Sequence, residues 1–345
     1  MANSDSKAGP RILVIRCGAV GDTVLATCVL DPILARWPDA RIEWLATPGA
    51  AALFGVDPRI AQLHRLRHRK LPIWLSPVKR ALVRSSRQAP YALVLNLECA
   101  AYMHRFVHAL RAERVVGYGD GADWQDRHGV ENHRAVLAAA GLAAPRALPR
   151  LVPAPPPAGL PPRFVVLHPG NSHSGGNRVN IRAWPVARWV ELNRRLTAAG
   201  VATVITGAPN EADLAAEVAA GGGLNLAGRT SLPAMAGVMA AAELLVCTDT
   251  GPVHIAAAVG TAVLGLYGPT RPTQTAPFGA PGQVRLLRHD IDCGPCYGTP
   301  RHKTCRDNRC MQLITVDEVF DAVLARWGEE KQAQRTDTKV AQEKD

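Results

Sequence analysis

Residues 244–270 read LLVCTDTGPVHIAAAVGTAVLGLYGPT, a complete strand–turn–helix–strand unit. Leu244–Thr248 is an apolar run of strand length, Val253–Val259 an alanine-rich helix and Val263–Tyr267 a second apolar strand. Two wholly apolar strands joined through a helix make a parallel βαβ unit buried on both faces. The turn between them, Asp249-Thr250-Gly251-Pro252, leads straight into the helix. Pro252 suits the first helical position, where a missing N–H costs nothing. Gly251 lets a ligand approach the backbone, and the free N–H groups of a helix N-terminus favour an anion such as a diphosphate. His254 lies one turn in. The plainer reading is that Asp249 or Thr250 only caps the helix.

The same alternation runs through the chain. Strands are expected at Arg11–Arg16, Arg41–Ala46, Ala92–Leu97 and Arg114–Tyr118, then at Phe164–His168 and Ala202–Thr206 before the two quoted above. Helices are expected at Thr23–Arg36, Val186–Ala199, Glu211–Ala220 and Pro233–Ala241. PAPPPAGLPP, residues 153–162, has neither period and reads as a stiff linker. The pattern therefore predicts two doubly wound α/β domains, 10–152 and 163–327, followed by a polar, disordered tail at 328–345. Ligands are expected in a central cleft facing the carboxyl ends of both sheets.

Near the start, RILVIRCGAVGDTVLATCVL (residues 11–30) borrows the shape of a nucleotide site but lacks its GxGxxG spacing. It also places Asp22 where a phosphate would otherwise sit. The phosphate is then expected at the matching turn of the other half, Thr250-Gly251, which frees Asp22 to serve as a general base. An N-cap is the plainer reading of Asp22. Two further loops follow strands in the second half. NSHSGGNRVNIRAWP (171–185) offers small residues such as Asn171 and Ser172 as an anion nest, with Arg178 and Arg182 as forked donors. TGAPNEAD offers Glu211, an acid suited to ribose hydroxyls or simply to a helix start.

The chain has 345 residues, 47% hydrophobic and 20% charged, a globular composition. No apolar run is long enough to span a membrane and no signal peptide opens the sequence, so a cytoplasmic protein is expected. The formal charge of +11 is concentrated. His64–Pro90 carries eight Lys or Arg and no acid, among them Arg65, Arg67, Arg69 and Lys70. It reads either as a solvated helix face or as a surface for an anionic membrane or a phosphorylated acceptor. Nucleic acid is not expected as a partner, since aromatics are only 5% and no nucleic-acid motif is present. Cys17, Cys28, Cys99 and Cys247 sit in apolar patterns and read as inert core residues. Cys293, Cys296, Cys305 and Cys310 are spaced C-x2-C-x8-C-x4-C, a candidate structural site for zinc or iron with His302 as a substitute ligand, or else four reduced thiols.

With these residues in place the chain resembles glycosyltransferase family 9, the bacterial heptosyltransferases of lipopolysaccharide core synthesis. GAVGDTVLAT, DPILARWPDARIEWLATPG, HPGN with RAWP, TGAPNE and TDTGPVHIAAAVGTAVLGLYGPT carry the resemblance. It implies a GT-B fold of two Rossmann-like domains and inverting transfer of heptose from ADP-heptose to the lipopolysaccharide core. It also implies Asp22 as catalytic base and a donor site built from Arg182, Glu211, Asp249, Thr250, Gly251 and His254, with Asn171 and Ser172 beside them. Arg182 stands where many members have lysine. No cofactor is implied for catalysis, since no DxD-like pair accompanies the donor loop. The cysteine segment resembles one that holds iron in protein-glycosylating relatives. A protein acceptor, a sugar-nucleotide epimerase and a non-catalytic nucleotide-sugar binder are the competing readings.

Overall fold

A computed structural model of the chain describes residues 9–171 and 180–328. Ser172 and Arg178, and the tail beyond residue 328, lie outside the described residues. The chain divides into two compact units, Met1–Ala154 and Pro155–Asp345.

The first unit contains β1 (Arg11–Ile15), β2 (Arg41–Ala46), β3 (Gln62–Arg65), β4 (Leu93–Asn96), β5 (Val115–Tyr118) and β6 (Gly121–Ala122). They form one sheet in the order β3-β2-β1-β4-β5-β6, and every pairing is parallel. The second unit contains β7 (Val165–His168), β8 (Thr203–Ile205), β9 (Leu224–Asn225), β10 (Leu244–Thr248), β11 (Ala262–Leu266) and β12 (Val284–Leu287). Its sheet is also all parallel, in the order β12-β11-β10-β7-β8-β9. Renumbered within its own unit, each sheet reads 3-2-1-4-5-6, the doubly wound order with a switch point between its first and fourth strands.

The central strands are β1, β4, β7 and β10, and every residue of β4, β7 and β10 is buried. Strands shielded on both faces are mainly apolar, with polar residues such as Asn96, His168 and Thr248 at their carboxyl ends, which is why these runs stand out in the sequence. The outer strands β3 and β12 are half-exposed and mixed in polarity, and the sequence pattern passes over them. Around the first sheet Leu13, Ile15, Leu45, Leu82, Met103 and Phe106 form the core. Around the second, Trp184 and Trp189 meet edge to face at 5.0 Å among Leu192, Ile205, Val246 and Leu264. Glu43 is a buried charge within the first unit. Burial works to raise the Glu43 carboxyl, yet hydrogen bonds from His64, Arg11 and Tyr91 hold it at about 2.

The expected helix Thr23–Arg36 begins earlier and is broken. A helix spans Val20–Ala26, a tight 3-10 turn Thr27–Val29, and a second helix Leu30–Arg36. Pro32 is the cause: it has no N–H to give back to the carbonyl one turn earlier, and its ring crowds that carbonyl.

Candidate functional site

In the first unit the switch point lies between the ends of β1 and β4. Glu98, just past β4, accepts the Cys17 N–H at 2.6 Å. Arg16 donates through Nη1 to the Leu97 carbonyl at 2.8 Å and reaches Asp22 through Nη2 at 3.4 Å. Asp22 is the third residue of its helix, whose N-cap is Ala19, so the capping reading of Asp22 does not hold. Its carboxylate is half-exposed and turned back over Gly18. A Cβ on Gly18 would lie 2.9 Å from both Cβ and Oδ2 of Asp22, so only glycine fits there.

Of the basic candidates, Arg65, Arg67, Arg69 and Lys70 are all exposed, and Arg69 is brought to this turn. Its Nη1 donates to the Cys17 carbonyl at 2.8 Å. The basic stretch is not wholly a surface, because Lys79 is 1% exposed. Its ammonium donates to the Arg69 and Leu71 carbonyls, both at 2.8 Å, fixing the loop that carries Arg69. The sequence pattern alone cannot distinguish such an anchor from a surface cation; the helix Pro77–Gln88 carries it on its buried face.

In the second unit the switch point lies between β7 and β10, and the turn Asp249-Thr250-Gly251 leaves β10 there. The helix Gly251–Ala258 starts at Gly251 with Thr250 as N-cap, so Pro252 is its second residue rather than its first. Thr250 occupies the N-cap position without making a side-chain capping hydrogen bond. The buried Asp249 carboxylate instead accepts from Tyr267 Oη at 3.1 Å and Thr275 Oγ1 at 3.5 Å. Burial, with the Asp249 charge beside it, pushes the Tyr267 phenol well above its ordinary value. Arg182 donates through Nη1 to the Asp249 carbonyl at 3.0 Å, and Asn171 donates to Thr248 Oγ1 at 3.3 Å. His254 is buried one turn into the helix. The loops carrying Asn171, Arg182, Asp249, Thr250, Gly251 and His254 therefore converge.

Glu211 ends a 3-10 turn after β8 and accepts the Ala208 N–H at 2.7 Å, the local task of a helix-start acid. The same carboxylate fills the space beside Gly170 and lies 3.9 Å from His168 Nε2. Burial lowers His168 to about 4, and its Nδ1 is hydrogen-bonded with Thr206 Oγ1 at 3.0 Å.

The two halves correspond differently from the sequence expectation. The turn bearing Asp22 follows the first strand of its sheet, whereas Asp249–Gly251 follows the fourth strand of the other. The topological partner of the Asp22 turn is thus His168–Asn171. Both chosen turns still border a switch point, each from a different side.

Cys17 and Cys28 are buried, and burial pushes both thiols up to about 12. Cys247 is likewise buried, but Cys99 is exposed and is not a core residue. Cys296 and Cys310 are buried, with Cys293 and Cys305 half-buried. The four thiols are gathered together: burial first, then Cys305 and Cys293, raises the Cys296 thiol, and burial first, then Cys296, Cys293 and Cys305, raises that of Cys310. Beside them His302 Nδ1 bonds with the Thr299 carbonyl at 2.6 Å. The segment also supports the donor loops. Cys296 and Tyr297 donate their N–H groups to the Pro269 carbonyl, and the Tyr297 ring lies 5.3 Å from the Arg182 guanidinium. Asn308 donates to the Asn180 and Ala183 carbonyls on either side of Arg182.

Arg16, Glu98, Lys79, His168 and Tyr267 escaped the sequence reading. Each sits in a strand end, a loop or a helix whose local pattern is ordinary, and its partner is remote in sequence. A polar residue closing an apolar strand, as Arg16, His168 and Tyr267 do, was the local sign available.

Residues 155–306 match the model of glycosyltransferase family 9 (heptosyltransferase). Lipopolysaccharide heptosyltransferase 1 of Pseudomonas aeruginosa is 27% identical over 326 residues, covering 86% of this chain and 87% of that protein. The structure of E. coli ADP-heptose lps heptosyltransferase II superposes with a TM-score of 0.71 at 20% identity, over 93% of this chain and 99% of that one. An iron-containing dodecameric glycosyltransferase, TibC from enterotoxigenic E. coli, superposes with a TM-score of 0.60 at 15% identity, over 94% and 77%. The fold is accordingly the α/β GT-B class, two Rossmann-like units. Sequence motifs, twin switch points and these matches agree in likening the chain to glycosyltransferase family 9, the heptosyltransferases, whose model its residues 155–306 match.

Proposed function

We propose that the chain transfers heptose from ADP-heptose to the inner core of lipopolysaccharide, with inversion and in a single displacement. The observation that carries this is the turn Asp249–Gly251 at a switch point, with Arg182 held on its backbone. The helix N-terminus and the guanidinium would meet the diphosphate as negative charge grows on it, stabilising the transition state more than the ground state. Thr250, Gly251 and Asn171 join Arg182 around the diphosphate. Glu211 takes the ribose, Asp249 the sugar hydroxyls, and His254 steadies the loop. The ADP-heptose enzyme among the structural relatives supports this choice of donor.

Asp22 acts as the base. The acceptor hydroxyl passes its proton to the Asp22 carboxylate, its oxygen bonds to the anomeric carbon, and the bond from that carbon to ADP breaks. Arg16 holds the carboxylate in place. The charge on the leaving diphosphate is met by protein groups, so the reaction as written uses no cofactor. Arg65, Arg67, Arg69 and Lys70 receive the phosphates of the acceptor. No helix among the described residues is long and apolar enough to cross a membrane. Peripheral contact with the inner membrane surface is supported by Trp74, 70% exposed, and Leu75, 48% exposed, beside this basic stretch.

The test is Asp22→Asn, assayed by mass spectrometry with ADP-heptose and truncated core lipid, and by calorimetry with ADP. Transfer should vanish while ADP binding is retained. Unchanged transfer would remove Asp22 from the mechanism. Labelled protein with unmodified lipid would reassign the acceptor.

A further inference from the structure

We propose that His104, His108 and Asp120 bind a zinc-class divalent ion, at a site distinct from the Asp22 turn and from the cysteine segment. His104 and His108 are four residues apart on the helix Ala101–Ala109 and so project from one face. Their ring centroids are 6.3 Å apart. Asp120 comes from the tight turn joining β5 to β6, closed by Asp120 N–H to the Gly117 carbonyl at 3.0 Å and Gly119 N–H to the Ala122 carbonyl at 2.8 Å. One ligand atom from each of the three residues lies within 4.8 Å of the other two. Tetrahedral zinc, with bonds of about 2.0–2.1 Å, holds such atoms roughly 3.3 Å apart. Rotation of the half-exposed His108 ring closes the remainder.

Two further observations point to a ligand. Asp120 Oδ1 faces His108 Nε2 at 3.2 Å, but Asp120 Oδ2 is buried with no hydrogen-bond partner among the described residues. A buried carboxylate oxygen left without a partner is costly, and a cation supplies the missing contact. The turn is also shaped around the imidazole. Gly119 has φ +84°, and a Cβ there would lie 2.7 Å from His104 Cε1. Backbone conformation and ring clearance thus both demand glycine at one position.

The donor set selects the ion. Two imidazole nitrogens and one carboxylate oxygen suit Zn2+, Ni2+ or Co2+, whereas Mg2+ and Ca2+ prefer all-oxygen shells. Since the His108 side chain is 56% exposed, a fourth position is open to water. A bound ion would pin the helix to the β5–β6 turn. The loop entering that helix carries Glu98, which holds the Cys17 N–H, so the ion would brace the Asp22 side of the first sheet against local opening.

The full chain, stripped of metal, would be titrated with Zn2+ by calorimetry and with Co2+ by visible absorption. The expected result is a zinc-binding component retained in Cys293→Ser/Cys296→Ser and weakened at least ~100-fold in His104→Gln/His108→Gln. Its cobalt adduct should show ligand-field bands without sulfur charge transfer. His108→Gln alone, at an exposed position, should weaken zinc while leaving circular dichroism and ADP binding unchanged, which separates ligand loss from misfolding. Zinc binding indifferent to both histidines, cobalt bands arising wholly from sulfur, or no binding at millimolar zinc would each overturn the site.

Discussion

The Tyr267 hydroxyl donates to Asp249 Oδ1 at 3.1 Å, tying the end of β11 to the turn that leaves β10. Asp249 is 6% exposed, so the phenol supplies one of few contacts open to its carboxylate. Tyr267→Phe keeps the ring and removes that bond. We expect a loss of about 1–3 kcal/mol in urea unfolding, as for a buried hydrogen bond to a charged group, together with weaker ADP binding by calorimetry. Unchanged values in both would show that the bond does not order the turn.

Arg182→Lys keeps the charge and loses the fork. One ammonium cannot hold the Asp249 carbonyl and offer a second, coplanar donor to a diphosphate. ADP affinity should fall about tenfold, equivalent to about 1.4 kcal/mol. Equal affinity would mean that charge alone matters there.

Lys79→Met tests the anchor beneath Arg69. Removing the ammonium strands two carbonyls, at a cost of about 1–3 kcal/mol each where they are cut off from water. The expected outcome is lower stability in urea and a raised KM for acceptor, with ADP binding unchanged. A variant as stable as the parent would show that solvent replaces the ammonium without penalty.

His168 sets a pH window. Burial lowers it from 6.5 to about 4, so between those values the unfolded chain binds more protons than the folded one. Stability should therefore fall as pH drops from 6.5 toward 4, by on the order of 3 kcal/mol from this group, with no contribution above 6.5. His168→Asn removes the titration and should flatten that part of the stability curve. Parallel curves for parent and variant would refute the assignment.

The buried strands were legible because a strand shielded on both faces is mainly apolar; Leu244–Thr248 has the bounds its composition dictates, and Arg41–Ala46 has them despite the buried Glu43. β3 and β12 were not, because an edge strand is half-wet and its composition carries no period. The Asp249–Gly251 turn was legible from a glycine and a proline at a strand exit. Tyr267, Lys79 and Asp120 were not, since each matters through a partner that only the folded sheet brings close. The broken helix after Asp22 was a missed local sign, as Pro32 stood in plain view.

The shared 3-2-1-4-5-6 order has a consequence for synthesis of the chain. In each half the site is closed by a pairing between first and fourth strands. The Cys17–Glu98 bond spans 81 residues and Arg182–Asp249 spans 67. A chain emerging from the ribosome therefore forms β1, β2 and β3 well before β4 completes the Asp22 turn, then repeats that delay for the donor turn. Each half acquires its chemistry late, and a chain halted before residue 244 would carry the carboxylate proposed as base but no turn to hold the leaving group.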